Sequence, residues 1–372
     1  MDALIVGGGA SGIACAIRLK QNNPALRVTV LEHLEEPCKK LYATGNGRCN
    51  LTNTAAQGYE TTVAFFNSLG LLLRESHEGR MYPYSNQAST VVNVLLGACQ
   101  TYGVNLVTGA DVYQIEPVKD GFRVYTSKGA YSGAYVVVAT GGKAQPALGS
   151  NGSGYSLLQA LGHTVTPLSP ALVQLESSNK NCRQLKGVRT KCRLSIETDG
   201  EITASAFGEL LFADYGLSGI VTMDLSENVH DELLKRSKEK CVAIVDFVPD
   251  MTQEQLLVHY ETFGTLEGIL PAKLCSILSR QAEGDAEKMT KYAKNWRLII
   301  TGTKGFNFAQ ITKGGIALSE LSDSNESLTV PDLYVIGELT DNQFRCGGFN
   351  LDYAFSSGVR AADDITRKIQ NS

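Results

Sequence analysis

An α/β fold follows from three observations in the sequence. Asp2 to Val6 is an apolar strand that runs into Gly7-Gly8-Gly9-Ala10-Ser11-Gly12, a helical apolar pattern through Ile13, Ala16, Ile17 and Leu19, and a second strand, Val28 to Leu31. Tyr135 to Ala139 is another strand and ends in Thr140-Gly141-Gly142. Near the C terminus Leu333 to Ile336 returns as a strand, closed by Gly337-Glu338 and followed by helical spacing from Asn350 to Ile365. One strand-then-glycine pattern recurring at such distances predicts a discontinuous α/β domain with other material inserted in it.

The chain has 372 residues, 43% apolar and 19% charged, which is a globular composition and enough for two or three domains. It has no apolar run of the roughly 18 residues that span a bilayer, and no basic region precedes the short apolar start, so the expectation is a cytoplasmic protein without a membrane partner. The nine cysteines form no CxxC pair and no Cys/His spacing suited to zinc, so neither a disulfide scaffold nor a metal site is expected.

Between the first and last strands, Val91 to Tyr102 reads as an amphipathic helix, and Val104 to Val107, Val112 to Ile115 and Phe122 to Tyr125 read as strands. From about Pro167 the character changes. Leu172 to Leu175, Val188 to Ile196, Ile202 to Ala206 and Ile220 to Leu225 predict an antiparallel β unit. Glu232 to Lys240, Gln253 to Phe263 and Ala286 to Trp296 predict helices with charged faces, and Leu321 to Leu328 is a polar loop. The expected division is 1–166 with 307–372, then 167–228, then 229–306.

Gly7, Gly9 and Gly12 give G-x-G-x-x-G between a strand and a helix, where missing side chains let a pyrophosphate approach backbone N–H groups and the positive helix end. Glu32 follows Gly12 by 20 residues, at the end of the second strand, where a carboxylate can accept from a ribose hydroxyl. This is a Rossmann-type start, shared by NAD and FAD. The distant Ala139-Thr140-Gly141-Gly142 and Gly337-Glu338 turns favour FAD, which is longer than one βαβ unit.

Lys39 to Asn53 is the most distinctive segment. Gly45 and Gly47 flank Asn46 in a tight loop, and Arg48 with Lys39 and Lys40 supplies charge for phosphate or an electron-rich flavin edge. Cys49 is either a redox thiol or a buried structural one; with no neighbouring cysteine, the structural reading is preferred. Cys346-Gly347-Gly348-Phe349-Asn350 precedes the last helix, whose free N–H groups could face the pyrimidine edge of a flavin, or simply be capped by Asn350.

Net charge is only −4, yet Lys180, Arg183, Lys186, Arg189, Lys191 and Arg193 share a stretch without an acid. Together with Lys288, Lys291, Lys294 and Arg297 they could contact RNA phosphates, although solvated faces explain them more simply. Candidate proton donors are Tyr215, Asp214 and Asp341, with Tyr82 and Tyr84 behind them. No second G-x-G-x-x-G follows a strand, so a nicotinamide donor, NADH or NADPH, would bind only transiently.

The segments GGGASG, KKLYATGNGRCNLTN, GRMYPYSNQAS, VVVATGGKAQPALGSNGSGY, GELLFADYGLSG, KGGIALSEL and YVIGELTDNQFRCGGFNLDYAFSSG resemble the HI0933-like bacterial flavoproteins, also called YhiN-like or BaiN-type, nearly end to end. The resemblance implies an FAD domain with an inserted β-barrel-like domain and a small helical domain. It implies reduction of conjugated C=C bonds, reduction of uridine in ribosomal RNA, or amine oxidation. The expected FAD neighbours are Gly7, Gly9, Ala10, Ser11, Gly12, Glu32, His33, Lys40, Gly45, Gly47, Arg48, Cys49, Asn50, Val112, Thr140, Gly141, Gly142, Gly337, Glu338, Gly348, Phe349, Asn350 and Leu351. This chain departs from the family pattern at Ala213, Ile220, Gln343, Phe344 and the Asp352-Tyr353 pair, in segments expected to border a small-molecule substrate.

Overall fold

The computed structural model describes residues 2–235 and 241–371. The chain divides into two compact units: one runs up to Leu168 and resumes at Ile311, the other is Ser169–Gln310.

The first unit is built on a five-stranded parallel sheet in the order Leu333–Val335, Tyr135–Val138, Asp2–Val6, Arg27–Leu31, Asn105–Val107. Such a sheet is covered on both faces, which is why its central strands are near-continuous apolar runs rather than alternating ones. Tyr135–Val138 is buried at all four positions. One face packs Ala3, Ile5 and Val137 against the helices Ala10–Asn22, Ala88–Tyr102 and Phe349–Asn371. The other packs Leu4, Val6, Val136 and Val138 against Ile115, Phe122 and Val124. These last belong to an antiparallel sheet of Val112–Val118, Gly121–Thr126 and Gly129–Gly133.

The second unit contains a closed barrel in the order Leu175–Ser177, Gly216–Ser218, Glu201–Ala213, Arg189–Thr198, Cys241–Asp246, Trp296–Thr303. Phe212, Phe247 and Trp296 meet in its core with ring centroids 5.8–6.3 Å apart. The helices Gln253–Phe263, Ala272–Ala282 and Ala286–Lys294 share this core through Leu256, Leu274, Leu278 and Met289.

Three readings are corrected. Ile220–Leu225 is not a strand but the start of the helix Ile220–Lys235. Its β-branched content resembles a strand, yet Val221, Leu225 and Val229 are buried at the i, i+4, i+8 spacing of a helix. Of the predicted helix Glu232 to Lys240, residues 232–235 form the end of this element, and residues 236–240 lie outside those described. Strand structure in Leu172 to Leu175 begins only at Leu175, because Leu172 adopts a left-handed φ of 50° that interrupts extended chain. The helix Ala286–Lys294 stops short of Trp296, which opens a barrel strand instead. Among the described residues no helix is long and apolar enough to cross a membrane.

Candidate functional site

The glycine loop lies where the sheet strand Asp2–Val6 gives way to the helix Ala10–Asn22. Gly7 and Gly12 are packing glycines: a Cβ on Gly12 would collide with the Gly7 carbonyl, and one on Gly7 would lie 2.5 Å from the Ala139 carbonyl. Gly9 differs, for its missing Cβ faces open space with nothing within 4 Å. It is also the N-cap of a helix that has no side-chain cap and no acid in its first turn. The uncapped positive end therefore opens next to Ala10 and Ser11. An open helix end of this kind can receive a phosphate or other anion.

Glu32 is buried at the end of the second strand. Its Oε2 accepts from Gly8 N–H (2.7 Å), and its Oε1 accepts from Leu34 N–H (2.8 Å) and lies 3.1 Å from His33 Nδ1. Burial alone would raise its carboxyl, but the hydrogen bonds from His33 and the two backbone N–H groups outweigh that and hold it below the usual carboxylate range. His33 is correspondingly raised by Glu32. An ionised carboxylate has about four acceptor positions, so it keeps capacity for a ribose hydroxyl. The Glu32 carbonyl accepts from Ala110 N–H at 2.8 Å, which brings the strand start at Val112 to the same edge.

The Gly45 to Cys49 segment is a tight left-handed turn, with φ between 55° and 79° at Gly45, Asn46, Gly47 and Cys49. Arg48 is exposed, stacks 4.7 Å from the Tyr82 ring centroid and donates to the Gly45 carbonyl at 3.3 Å. Cys49 is fully buried, and burial pushes its thiol up to about 12. Asn50 Oδ1 is buried without a hydrogen-bond partner among the described residues and lies under Gly348, whose φ is +102°. An orphaned buried acceptor is costly and rare in a folded protein. Asn350 clamps its own loop, accepting from Phe344 N–H (3.0 Å) and donating to Phe344 O (2.8 Å), so it caps a turn while Phe349 and Leu351 open the helix.

The remaining turns converge. Lys40 Nζ pairs with Glu338 Oε2 at 2.8 Å, Glu338 Oε1 accepts from Thr312 N–H at 3.0 Å, and Thr312 Oγ1 accepts from Lys143 N–H (2.7 Å) and Ala144 N–H (3.0 Å). The chain following Thr140-Gly141-Gly142 is thereby tied to Gly337-Glu338. Gly337 N–H donates to Ser357 Oγ at 3.1 Å, and Ser11 Oγ packs where a Cβ on Gly337 would stand. Thr312 carries no motif of its own and was not recognisable in the sequence.

The candidate proton donors have different surroundings. Asp214 is held below its usual range by a hydrogen bond from Lys186, 2.7 Å away, so it is ionised. Burial raises Tyr215, which keeps its hydroxyl protonated, and Lys304 lies 5.0 Å from its ring centroid. Asp341 sits in the first unit, its N–H donating to Ile316 O at 2.9 Å. Tyr82 is buried against Arg48, whereas Tyr84 is exposed. In the basic stretch Lys186 pairs with Asp214 and Arg189 with Glu209; Lys294 pairs with Asp246 and Arg297 with Glu197.

Residues 55–364 match the HI0933-like protein Rossmann domain, and residues 4–63 match an FAD-NAD(P)-binding domain. The chain belongs to the HI0933-like family. HI0933-like proteins are FAD-dependent oxidoreductases, and this chain is one of them. It is 34% identical to a 3-dehydro-bile acid delta(4,6)-reductase of Clostridium scindens, over 96% of this chain and 97% of that one. It is 26% identical to a ribosomal RNA dihydrouridine synthase of Escherichia coli, over 98% of each. A 3-ketosteroid delta1-dehydrogenase of Sterolibacterium denitrificans shares the fold, with a TM-score of 0.56, 12% identity and 99% of each chain covered.

Proposed function

We propose that this HI0933-like protein reduces a conjugated C=C bond in a small molecule, with NADH or NADPH as electron donor. The observation that carries the reading is end-to-end similarity, at 34% identity, to the Clostridium scindens enzyme whose name describes such a reduction. The overall change adds hydride and a proton across the double bond while the nicotinamide is oxidised. FAD, when bound, supplies the two-electron carrier. Gly9 and the uncapped helix end hold its pyrophosphate, Glu32 its ribose, and the Gly45–Asn50 turn with Gly348 its ring system. Arg48 and the start of the last helix place positive potential there, which favours an anionic reduced ring. Since NADH and NADPH are reductants of the cytoplasm, the reading places the enzyme in that compartment.

The relative from Escherichia coli favours a second reading, reduction of uridine in ribosomal RNA. Two of the six cations of the basic stretch are paired, Lys186 with Asp214 and Arg189 with Glu209, so the strip offers an RNA backbone fewer free cations than its sequence suggests. The test is to reduce the purified flavoprotein anaerobically with NADH or NADPH. Its reoxidation is then followed at flavin wavelengths with a panel of conjugated enones, with uridine-containing RNA, and with air. Fastest reoxidation by an enone supports the first reading and fastest by RNA the second. Direct reduction by amines, with air the fastest oxidant, would replace both with an oxidase.

A further inference from the structure

The Asp352-Tyr353 pair, where this chain departs from the family pattern, stands in the first turns of the helix Phe349–Asn371, and Asp352 N–H donates to Gly348 O at 2.9 Å. Consecutive side chains on a helix diverge by about 100°. These two accordingly reach different turns of the candidate cofactor site.

Asp352 is buried, and its carboxylate accepts three hydrogen bonds from the other end of the chain. Thr52 Oγ1 donates to Oδ1 at 2.6 Å, Thr62 Oγ1 donates to the same oxygen at 2.9 Å, and Gly58 N–H donates to Oδ2 at 2.9 Å. Gly58 is the N-cap of the helix Tyr59–Ser68 and has no side chain to cap it, so Asp352 supplies from the last helix the acceptor and the negative charge that this helix start lacks. Burial pushes the Asp352 carboxyl up, while its three donors and the Arg360 cation work against that rise. Thr52 carries the consequence towards the cofactor. Its carbonyl packs under Gly348, 2.5 Å from where a Cβ would stand, and the unpartnered Oδ1 of Asn50 lies beside it. Asp352 thereby fixes the segment that holds Asn50 against the glycine that opens the last helix.

Tyr353 acts on the opposite turn, and the directions of its hydrogen bonds are settled. Thr340 Oγ1 donates its only hydrogen to Gly337 O at 2.9 Å. The Tyr353 hydroxyl, 3.1 Å from Thr340 Oγ1, is therefore the donor of that pair, and it accepts from Asn325 Nδ2 at 3.1 Å. Thr340 is fully buried, and its backbone N–H also donates to Gly337 O, at 3.2 Å. The Gly337–Thr340 turn, whose Glu338 pairs with Lys40, is thus closed by a hydroxyl that Tyr353 holds in place.

We infer that Asp352 and Tyr353 are positioning residues of the flavin site, Asp352 setting the Asn50–Thr52 segment against Gly348 and Tyr353 setting the Gly337–Thr340 turn. The first turns of the last helix hold both in register around the cofactor. This rests on the reading that places the flavin ring against the Gly45–Asn50 turn and Gly348. Each residue acts through a threonine hydroxyl rather than by touching the flavin itself.

The test compares wild type with Asp352→Ala, Thr52→Val, Tyr353→Phe and Thr340→Val, and with Thr52→Ser and Thr340→Ser, which keep the hydroxyls. The readings are FAD affinity, the visible circular dichroism and midpoint potential of the flavin at saturating FAD, and the melting temperature of the flavin-free protein. The variants that break a bond should each weaken FAD at least about threefold, the worth of one hydrogen bond, and shift the dichroism or the potential at full occupancy. The serine variants should keep the wild-type values. Asp352→Ala combined with Thr52→Val should lose no more than the worse of the two, whereas Asp352→Ala combined with Tyr353→Phe should lose the product of both. Should Asp352→Ala not fold, Thr52→Val carries its half of the test. Wild-type affinity, dichroism and potential in folded Thr52→Val and Tyr353→Phe overturn the inference. So does a loss of affinity that follows the flavin-free melting temperature and spares the dichroism and the potential, since the residues then serve stability alone. Asn50→Ala separates this failure from failure of the underlying reading. If it leaves the bound-flavin dichroism unchanged, the ring does not lie at this turn and the inference falls with that placement. If it shifts the dichroism and the bond-breaking variants do not, only the inference falls.

Discussion

Lys40 and Glu338 stand 298 residues apart in sequence and meet in a 2.8 Å ion pair that joins the segment after Glu32 to the turn before the last helix. Both side chains are about four-fifths buried, at 24% and 21% exposure, and Glu338 carries Thr312 on its other oxygen. The pair thus joins two turns of the candidate cofactor site that lie at opposite ends of the chain.

Lys40→Met and Glu338→Gln should each lower the melting temperature and flavin affinity. Their double-mutant cycle should show a coupling of about 1 kcal/mol, the upper part of the range for incompletely buried pairs. Chemical denaturation of the four proteins measures it. A coupling indistinguishable from zero would mean that Thr312 alone positions Glu338.

The glycine loop makes a sharper forecast because its glycines have different tasks. Gly12→Val should destabilise the protein even without flavin, by at least the roughly 1–3 kcal/mol typical of overpacking, since its Cβ would overlap the Gly7 carbonyl. Gly9→Ala has room for its methyl group and should keep the flavin-free melting temperature to within about 1 kcal/mol of stability, allowing for a poorer cap. It should nevertheless lose flavin affinity at least tenfold, because that methyl occupies the approach to the helix end. Flavin content equal to wild type in Gly9→Ala would remove the pyrophosphate from this cradle.

The parts of this architecture legible in the sequence are those encoded by local pattern. The strand at Asp2–Val6, the glycine loop, Glu32 and the strand at Leu333–Val335 each announce themselves within a dozen residues. Ile220–Leu225 was misread because six residues rich in β-branched side chains cannot reveal that Val221, Leu225 and Val229 continue one helical stripe. Cys241–Asp246 and Trp296–Thr303 escaped notice as strands because all their partners are distant in sequence: they pair with each other across 49 residues of mostly helix, and with Arg189–Thr198 and Leu175–Ser177 further back. Thr312 is likewise invisible locally, since it acts through backbone N–H groups at Lys143 and Ala144.

Glu32 should make flavin affinity and stability acid-sensitive. Its folded-state carboxyl lies below the ordinary value of about 4.3, so the stabilisation it gives is full above that value and is lost as pH falls through the lower folded-state one. Glu32→Gln keeps one acceptor for the N–H groups of Gly8 and Leu34, and Glu32→Ala keeps none. Flavin affinity should therefore fall in the order wild type, Gln, Ala, and the melting temperature of both variants should approach wild type as the buffer is taken from pH 6 to below about pH 4. A constant gap across that range would show that the carboxylate charge contributes nothing.

Cys49 provides the last test, because the thiol occupies a turn that borders the proposed flavin position and could be mistaken for a redox partner. It is fully buried, and burial raises its thiol to about 12, leaving almost no thiolate at neutral pH. Its backbone φ of 59° shows what the residue does contribute: it completes a left-handed turn that ends at Asn50. Iodoacetamide at pH 8 should leave Cys49 unmodified in the native protein and alkylate it after denaturation, as read by peptide mass mapping. Cys49→Ala should reduce stability, since its methyl leaves space where the sulfur packed, yet retain flavin reduction by a nicotinamide to within about threefold of wild type. Rapid native alkylation, or loss of reduction in an alanine variant that still binds flavin and stays folded, would make Cys49 a participant in electron transfer rather than a packed side chain.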